Sequence, residues 1–421
     1  MSATAAKRRI VLATRTMACG GAETAHLLLA EQLVRAGHEV TVMTTGTTGA
    51  WFDRIAEVGA APLHVAGRDT RHPLRHALRC AAVIRAGGYD VALLSNSERF
   101  AHAAAATLPQ RTAVIPWIHS DDDDAYRKAL VARRAWNVAV AVSPRVAAEA
   151  RRRSDRPVEW IPNGVSVPAD VGGREHRGFE QPAEVLFAGR LDERSKGVLL
   201  LPRLFALLRE RRIARRFHVV GDGPDRGALE EALARIGIAE AVQLHGAQPR
   251  EALLRRLLAS HVAVMPSRFE GLPTVPIEAQ ILGCVPVATR LEGVTDAAIR
   301  DGATGVLVDE RTPEAFAAAV TDVCASPARW QQLSDAGRAW APTAFAPAAM
   351  AARFATLFDA VDAGRYPAQR SPLWPVDLRA FTWREHVPRA LRGHGVGRWL
   401  RRRLGREREG HPPHTPTSAA P

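Results

Sequence analysis

Two glutamates with a short fixed spacing are the residues most suited to chemistry in this chain. Glu270 and Glu278 have seven residues between them in the segment EGLPTVPIE. Glu270 is predicted to lie in a loop with Gly271, Leu272 and Pro273. Carboxylates accept hydrogen bonds from vicinal hydroxyl groups, and a glycine lets a ligand approach the backbone closely. The segment is therefore suited to binding a polyhydroxylated ligand.

A helix is predicted to begin just before Glu278, over roughly residues 275 to 283. Pro276 fits the first turn of such a helix, where its missing N–H costs nothing. The unpaired N–H groups of a first turn form a natural phosphate site. One short segment thus offers amides for phosphate and carboxylates for hydroxyls, a combination that suits a nucleotide sugar.

Basic residues supply a second candidate site. The chain has 57 Lys plus Arg residues, but the lysines are only Lys7, Lys128 and Lys196. Lys196 lies with Arg190 in GRLDERSKG, directly after the apolar strand VLFA. Arginine offers a planar fork and lysine a compact charge, so such a loop can wrap a diphosphate. The alternative is an ordinary solvated basic turn.

Two further features fall at strand ends near the start of the chain. Gly20 and Gly21 separate the first strand from its helix, where glycine permits a tight turn and close approach to a helix N-terminus. His119 ends the strand TAVIPWI. Taken alone, the glycine pair is equally typical of a simple turn, and the histidine of a structural residue.

The motifs, taken in order, resemble one known family. GGAE at 20–23, IPNGV at 161–165, GRLDERSKG at 189–197 and VVGDGP at 219–224 precede the glutamate segment. Their order and spacing resemble the retaining glycosyltransferases of family four. This resemblance implies a GT-B fold, a nucleotide-diphosphate donor linked to UDP or GDP, and a glycan or polyprenyl-linked acceptor. It implies no cofactor and no catalytic metal.

The resemblance also implies roles for individual residues. His119 would reach the transferred sugar, Glu270 would face the sugar hydroxyls, and Glu278 would bind the ribose. The implied catalytic residues are His119, Glu270, Arg190 and Lys196. The implied donor-binding residues are Gly20, Gly21, Arg190, Lys196, Gly271, Leu272, Pro273 and Glu278.

The periodicity itself predicts an α/β fold. Short apolar strands alternate with amphipathic helices in two similar series, which indicates two Rossmann-like, doubly wound parallel-sheet domains facing a central cleft. The predicted divisions are an acceptor-side domain at 1–168, a linker at 169–183, a nucleotide-sugar-binding domain at 184–345 and a helix returning to the first domain at 346–364. A basic, Trp- and Arg-rich tail at 365–421 is expected to be partly disordered.

Composition limits the partners and the location. Four widely spaced cysteines and the absence of a signal-like leader favour a cytoplasmic protein. No run approaches the ~20 apolar residues of a membrane-spanning helix.

The net charge is +13, of which the twelve Arg and four acids from Arg365 onward contribute +8. Because the excess charge lies in a Trp- and Arg-rich tail, we expect an anionic membrane surface at the inner face, or docking on the first domain, rather than nucleic acid.

Two motifs resemble sites of other protein classes, and a third segment departs from the family pattern. SDDDDA at 120–125 contains a DxD pattern, but its position predicts a helix start, where acids complement the dipole. VVGDGP lacks the third glycine of a dinucleotide fingerprint, so NAD is not expected. At 291–296 the sequence LEGVTD departs from the family, since Glu292 replaces a glycine and Asp296 stands where Glu is common.

Three rival functions are considered. A sugar-nucleotide epimerase could share the two-domain scaffold, but the cationic loop and the glutamate spacing favour a transferase. A nucleic-acid-binding protein would need aromatic residues interleaved with the basic ones. A catalytically inactive homologue acting as a binding partner is disfavoured because the motif residues are intact.

Overall fold

The computed structural model describes residues 7–66, 73–95, 104–131, 134–172, 179, 182–368 and 370. Two parallel sheets form the framework, and every strand pair in them is parallel. The predicted fold class, two doubly wound α/β domains, is confirmed.

The first sheet has seven strands in the order β3-β2-β1-β4-β5-β6-β7. Its strands are β1 (Arg9–Thr14), β2 (Glu39–Thr44), β3 (Ala61–His64), β4 (Val91–Ser95), β5 (Ala113–Ile118), β6 (Ala139–Ala141) and β7 (Val158–Trp160). The accompanying helices are α1 (Gly21–Arg35), α2 (Arg54–Glu57), α3 (Pro73–Gly87), α4 (Asp123–Ala129) and α5 (Pro144–Arg153).

The second sheet has six strands in the order β10-β9-β8-β11-β12-β13. Its strands are β8 (Ala183–Ala188), β9 (Ala214–Val220), β10 (Val242–Leu244), β11 (Val262–Met265), β12 (Val285–Thr289) and β13 (Val306–Val308). Its helices are α6 (Ala169–Gly172), α7 (Glu193–Lys196), α8 (Leu201–Glu210), α9 (Arg226–Ile236), α10 (Arg250–Ala259), α11 (Thr274–Ile281), α12 (Thr295–Ala298), α13 (Pro313–Val323) and α14 (Pro327–Ala344). A further helix, α15 (Pro347–Asp362), follows them.

The central strands are buried on both faces because helices cover both sides of each sheet. All six residues of β5 and of β8 are buried. Such strands read as continuous apolar runs rather than as alternating patterns. The carboxyl ends of parallel strands lie at one edge of a sheet, which is where open α/β sheets hold ligands.

The chain crosses from the first sheet to the second through residues 161–168, and helix α6 follows at once. Val171 of α6 is buried in the core of the second sheet, beside α10. The segment predicted as a linker, 169–183, therefore begins with a helix that packs on the second domain.

Helix α15 returns to the first sheet. Its Phe354 and Phe358 are buried in the first core with residues of α1 and β5. Arg8, directly before β1, donates to Asp362 at 2.8 Å, and it also contacts Asp359. These contacts pack α15 against the first domain.

Among the residues that the structure describes, hydropathy identifies one long helical stretch, 327–362, whose most apolar window has a mean hydropathy of 1.2. By length and composition alone it could cross a membrane, contrary to the sequence-based expectation that no run comes close. Its residues Trp330 and Phe354 are fully buried in the two cores. We therefore interpret the stretch as packed core helices, α14 and α15.

The described chain ends against the first domain. Arg370 donates to the carbonyl oxygens of Ala135 (2.8 Å) and Thr112 (2.7 Å), and Tyr366 donates to Glu159 at 2.7 Å. Most of the predicted basic tail, residues 371–421, lies outside the described residues.

Candidate active site

A cavity of about 560 Å³ lies between the two domains. All ten residues that the sequence singled out line this cavity. They are Gly20, Gly21, His119, Arg190, Lys196, Glu270, Gly271, Leu272, Pro273 and Glu278. Strand ends and loops of both sheets bring them together.

Lys196 and Glu270 form the central ion pair. The Lys196 ammonium group contacts Oε1 of Glu270, and the Ser267 hydroxyl donates to the same oxygen at 2.8 Å. Lys196 ends the short helix α7, and Gly197 after it has φ +64, a left-handed conformation that glycine adopts at no steric cost. A side chain at Gly197 would also overlap the carbonyl oxygen of Pro266.

Arg190 lies on the same cavity with an exposed side chain. Among the described residues, no ion pair involves Arg190. The loop that carries it packs on the VVGDGP loop, because Gly221, with φ +137, lies so close to the carbonyl oxygen of Gly189 that any side chain would overlap it. Gly221 is thus required for packing between two loops. This explains a glycine in VVGDGP although the motif lacks the spacing of a dinucleotide-binding fingerprint.

Two helix N-termini open onto the cavity. Helix α11 begins at Thr274 and helix α1 at Gly21, and neither has a side-chain cap. Uncapped first-turn amides attract anions through hydrogen bonding and the helix dipole. The predicted helix at 275–283 corresponds to α11, which spans Thr274–Ile281.

Glu278 is on α11 and is almost fully buried, with a side chain that is 5% exposed. Arg250 donates to its Oε1 through Nε at 3.1 Å and Nη2 at 2.7 Å. Burial raises the pKa of Glu278, and the adjacent Arg250 opposes that rise. Arg250 also lines the cavity, and the sequence analysis did not identify it.

His119 follows β5 and lies in an aromatic setting. Its ring centroid is 4.3 Å from that of Trp117 and 5.6 Å from that of His26 on α1. Burial lowers the pKa of His119 well below its ordinary value, and the neighbouring His26 lowers it further. His119 is therefore neutral at pH 7.

The neutral His119 ring is oriented by Asn163. Asn163 Nδ2 lies 3.5 Å from His119 Nδ1, and with the amide as donor the ring proton is on Nε2. That Nε2 is buried without a hydrogen-bond partner among the described residues. A donor without a partner at a cavity wall is suited to a ligand oxygen. Asn163 lies in IPNGV, so the motif pointed to it, although not to this role.

The acidic run at 120–125 starts α4, as predicted. Asp122 is the N-cap and accepts from the Ala125 amide at 2.9 Å, while Asp121 accepts from the Tyr126 hydroxyl at 2.6 Å. Within the described residues, no group of three or more His, Cys, Asp or Glu side chains is arranged to hold a metal ion.

The divergent segment 291–296 contacts the opposite domain. The Gly293 carbonyl oxygen accepts from the Arg145 amide at 3.1 Å, and Gly293 has φ +70. Glu292 and Asp296 are exposed. The departure from the family pattern thus falls at a contact between domains.

Two facing α/β domains with a phosphate-suited cleft define a GT-B glycosyltransferase scaffold. Family models match consecutive parts of the chain: "Glycosyltransferase Family 4" matches residues 19–167, and "Glycosyl transferases group 1" matches residues 174–340. The chain belongs to the family-four type of GT-B glycosyltransferases. The predicted family is confirmed.

Curated relatives align over part of their length. A D-inositol 3-phosphate glycosyltransferase of Segniliparus rotundus is 30% identical over 44% of this chain and 43% of its own length. A GDP-mannose-dependent alpha-(1-6)-phosphatidylinositol monomannoside mannosyltransferase of Mycolicibacterium smegmatis is 32% identical over 44% of this chain and 51% of its own length. The chain thus spans about half the length of these relatives.

Solved structures share the fold. HepE of Anabaena in complex with UDP and glucose superposes with a TM-score of 0.69 at 17% identity, covering 84% of this chain and 100% of that one. A sucrose-phosphate synthase of Thermosynechococcus elongatus gives a TM-score of 0.66 at 20% identity, covering 85% and 100%. These likenesses support the GT-B fold.

Proposed function

We propose that this protein transfers a sugar from a nucleotide-diphosphate donor to an acceptor hydroxyl with retention of anomeric configuration. One observation carries the proposal: Lys196, Glu270 and the uncapped N-terminus of α11 converge on one cavity, with Arg190 in the same wall. This arrangement supplies cations and amides for a diphosphate, and carboxylates for sugar and ribose hydroxyls.

The residues suit a front-face reaction. The bond between the anomeric carbon and the β-phosphate oxygen breaks, the acceptor oxygen bonds to that carbon on the same face, and the acceptor proton passes to the leaving phosphate. Arg190, Lys196 and the α11 amides stabilise the charge that develops on this phosphate. Neutral His119 donates from Nε2 to the sugar. Glu270, already paired with Lys196, positions the sugar hydroxyls rather than attacking carbon.

The donor base and the acceptor follow from the relatives as part of the proposal. A GDP-mannose-dependent relative and a UDP-bound structural neighbour support a UDP- or GDP-linked donor. The named relatives act on an inositol phosphate and a phosphatidylinositol mannoside, which supports a glycan or lipid-linked acceptor. We infer a role in making a cell-surface polysaccharide on the cytoplasmic side.

Turnover with and without acceptor tests this function. UDP- and GDP-sugars are incubated with the full chain, alone and with polyprenyl-phosphate or inositol-phosphate acceptors, and the products are followed by NMR. We expect transfer only when acceptor is present, with the donor's anomeric configuration kept. Conversion of the donor without acceptor would indicate an epimerase, and an inverted product would overturn retention.

We also propose that the basic tail contacts an anionic membrane. Because Tyr366 and Arg370 bond to the first domain, a deletion of 371–421 removes the tail while keeping these contacts. We expect this variant to lose sedimentation with phosphatidylglycerol vesicles and to keep transfer to a soluble acceptor. Unchanged sedimentation would exclude the tail as an anchor.

A further inference from the structure

Arg250 connects three parts of the molecule at the edge of the cavity. It is the first residue of α10 and its side chain is 13% exposed. Besides its two bonds to Glu278 Oε1, its Nη2 donates to the carbonyl oxygen of Ser166 at 2.6 Å. Ser166 belongs to the segment that crosses between the domains. Arg250 therefore fixes a buried carboxylate of α11 to that crossing.

The positive charge of Arg250 favours the ionised form of the Glu278 carboxyl group. A carboxyl group this deeply buried favours the neutral form unless a cation lies beside it. Burial raises the pKa of Glu278 and Arg250 counteracts that rise. An ionised carboxylate accepts at both oxygens, whereas a protonated one donates at one of them. Arg250 thus favours the ionised form of Glu278, in which both oxygens only accept.

The geometry of Arg250 also orients Glu278. Both of its bonds to the carboxylate end on a single oxygen, Oε1, so this pair leaves Oε2 to another partner. Arg250 itself is held by the main chain of the crossing segment. The next residue, Glu251, accepts from Arg54 of the first domain at 3.1 Å. The start of α10 is therefore fixed without a ligand. The Glu278 carboxylate is fixed as well, because it is bonded to Arg250 there.

We propose that Arg250 is a positioning residue for the donor's ribose, holding Glu278 ionised and oriented so that it accepts from the two ribose hydroxyls. This inference rests on the proposed function, because it takes a nucleotide as the ligand and Glu278 as its ribose contact. It predicts that Arg250 sets the preference for a ribose with both hydroxyls and has a much smaller effect on the diphosphate.

A ligand that lacks the ribose hydroxyls tests this role. Binding of UDP and of GDP to the full chain is measured by calorimetry, and whichever binds is compared with its 2′,3′-dideoxy form. We expect the wild-type protein to bind the dideoxy nucleotide at least 10-fold more weakly. In Arg250→Ala, binding of the ordinary nucleotide falls at least 10-fold, and binding of the dideoxy form stays within about 2-fold, since a carboxylate contact is already absent there.

Further variants keep the test decisive. Arg250→Lys restores the charge without the fork and recovers part of the affinity, which also covers the case in which the alanine variant fails to fold. In a Glu278→Gln background, Arg250→Lys changes nucleotide affinity less than it does in the wild type. Arg255→Ala, on the exposed side of the same helix, is the matched control and binds as the wild type does.

The steady-state constants give an independent measure. Because the ribose contact is made equally in the ground and transition states, the Arg250 variants raise the donor KM and leave kcat within about 3-fold. Equal losses for the ordinary and dideoxy nucleotides in the variants would overturn this role and leave the proposed function standing. Failure of the wild-type protein to bind either nucleotide would overturn the proposed function itself.

Discussion

At the scale of single residues, the two cavity glutamates share one arrangement. Each has a cation on Oε1, Lys196 for Glu270 and Arg250 for Glu278. The pairs differ in their access to solvent, because the Lys196 side chain is 24% exposed and that of Arg250 is 13% exposed. A lysine on a flexible stem can exchange a carboxylate for a phosphate, whereas a bonded guanidinium fork is held in place. We infer that Lys196 serves the reacting diphosphate and Arg250 the static ribose.

Removing either member of the Lys196–Glu270 pair should stop transfer. We expect Lys196→Ala and Glu270→Ala to lower kcat/KM by on the order of 100-fold or more, because each removes a group that contacts the reacting sugar or phosphate. Circular dichroism checks that the fold is kept. The matched control is Lys128→Ala, whose ammonium group pairs with Asp124 on α4, and it should retain activity. Wild-type turnover in either cavity variant would contradict the site assignment.

At the scale of elements, the N-terminus of α1 and the end of β5 form one unit on the first domain. His26 of α1 is fully buried, and its Nδ1 lies 2.7 Å from the Ala22 carbonyl oxygen. Its ring centroid is 5.0 Å from that of Trp117, and the ring stacks on that of His119. The helix that brings Gly20 and Gly21 to the cavity thus also supports the histidine opposite them.

This buried histidine pair predicts a loss of stability in acid. Burial lowers the pKa of His26 from 6.5 to about 4, so the folded state binds fewer protons than the unfolded state between those values. The free energy of unfolding therefore has its full value, as far as His26 is concerned, above pH 6.5. It falls as the pH drops towards 4, by up to about 3 kcal/mol. Urea unfolding at pH 7 and pH 4.5 measures this loss. His26→Gln should lose less stability over the same interval, and an equal loss would assign the effect to other groups.

The sequence predicted the elements whose signals are local. β5 and β8 were predicted because strands buried on both faces read as continuous apolar runs. β3 was not predicted, since this short edge strand contains Pro62 and its residues are only partly buried or exposed. Arg250 could not be predicted as a site residue either, because its partners at 166 and 278 are distant in sequence and only the fold brings them together.

At the scale of the whole molecule, the domains touch at several points around the cavity. Arg54 meets Glu251, the Gly293 carbonyl accepts from the Arg145 amide, and Gly271 lies against the main chain of His119. The Val165 amide donates to the Phe345 carbonyl at 2.8 Å. This bond joins the segment that crosses to the second domain, 161–168, to the residues just before helix α15. The cavity walls therefore depend on how closely the domains approach, as well as on each domain's own fold.

Gly271 is the contact most sensitive to this approach. A methyl group there would overlap the carbonyl oxygen of His119, which belongs to the opposite domain and directly follows the buried strand β5. We expect Gly271→Ala to hold the domains apart and to lower kcat by at least about 10-fold, since small displacements of reacting groups are costly. Nucleotide binding by the second domain should fall less.

Scattering and kinetics together check this prediction. The Gly271→Ala variant should have a larger radius of gyration than the wild type in the presence of nucleotide, with two domains that still unfold cooperatively. Gly227→Ala is the matched control, because a side chain at this position of α9 meets no atom within 4 Å. Alanine there should preserve activity and, by helix propensity, raise stability by up to about 1 kcal/mol. A Gly271→Ala protein that turns over normally would show that the cleft works without this close approach.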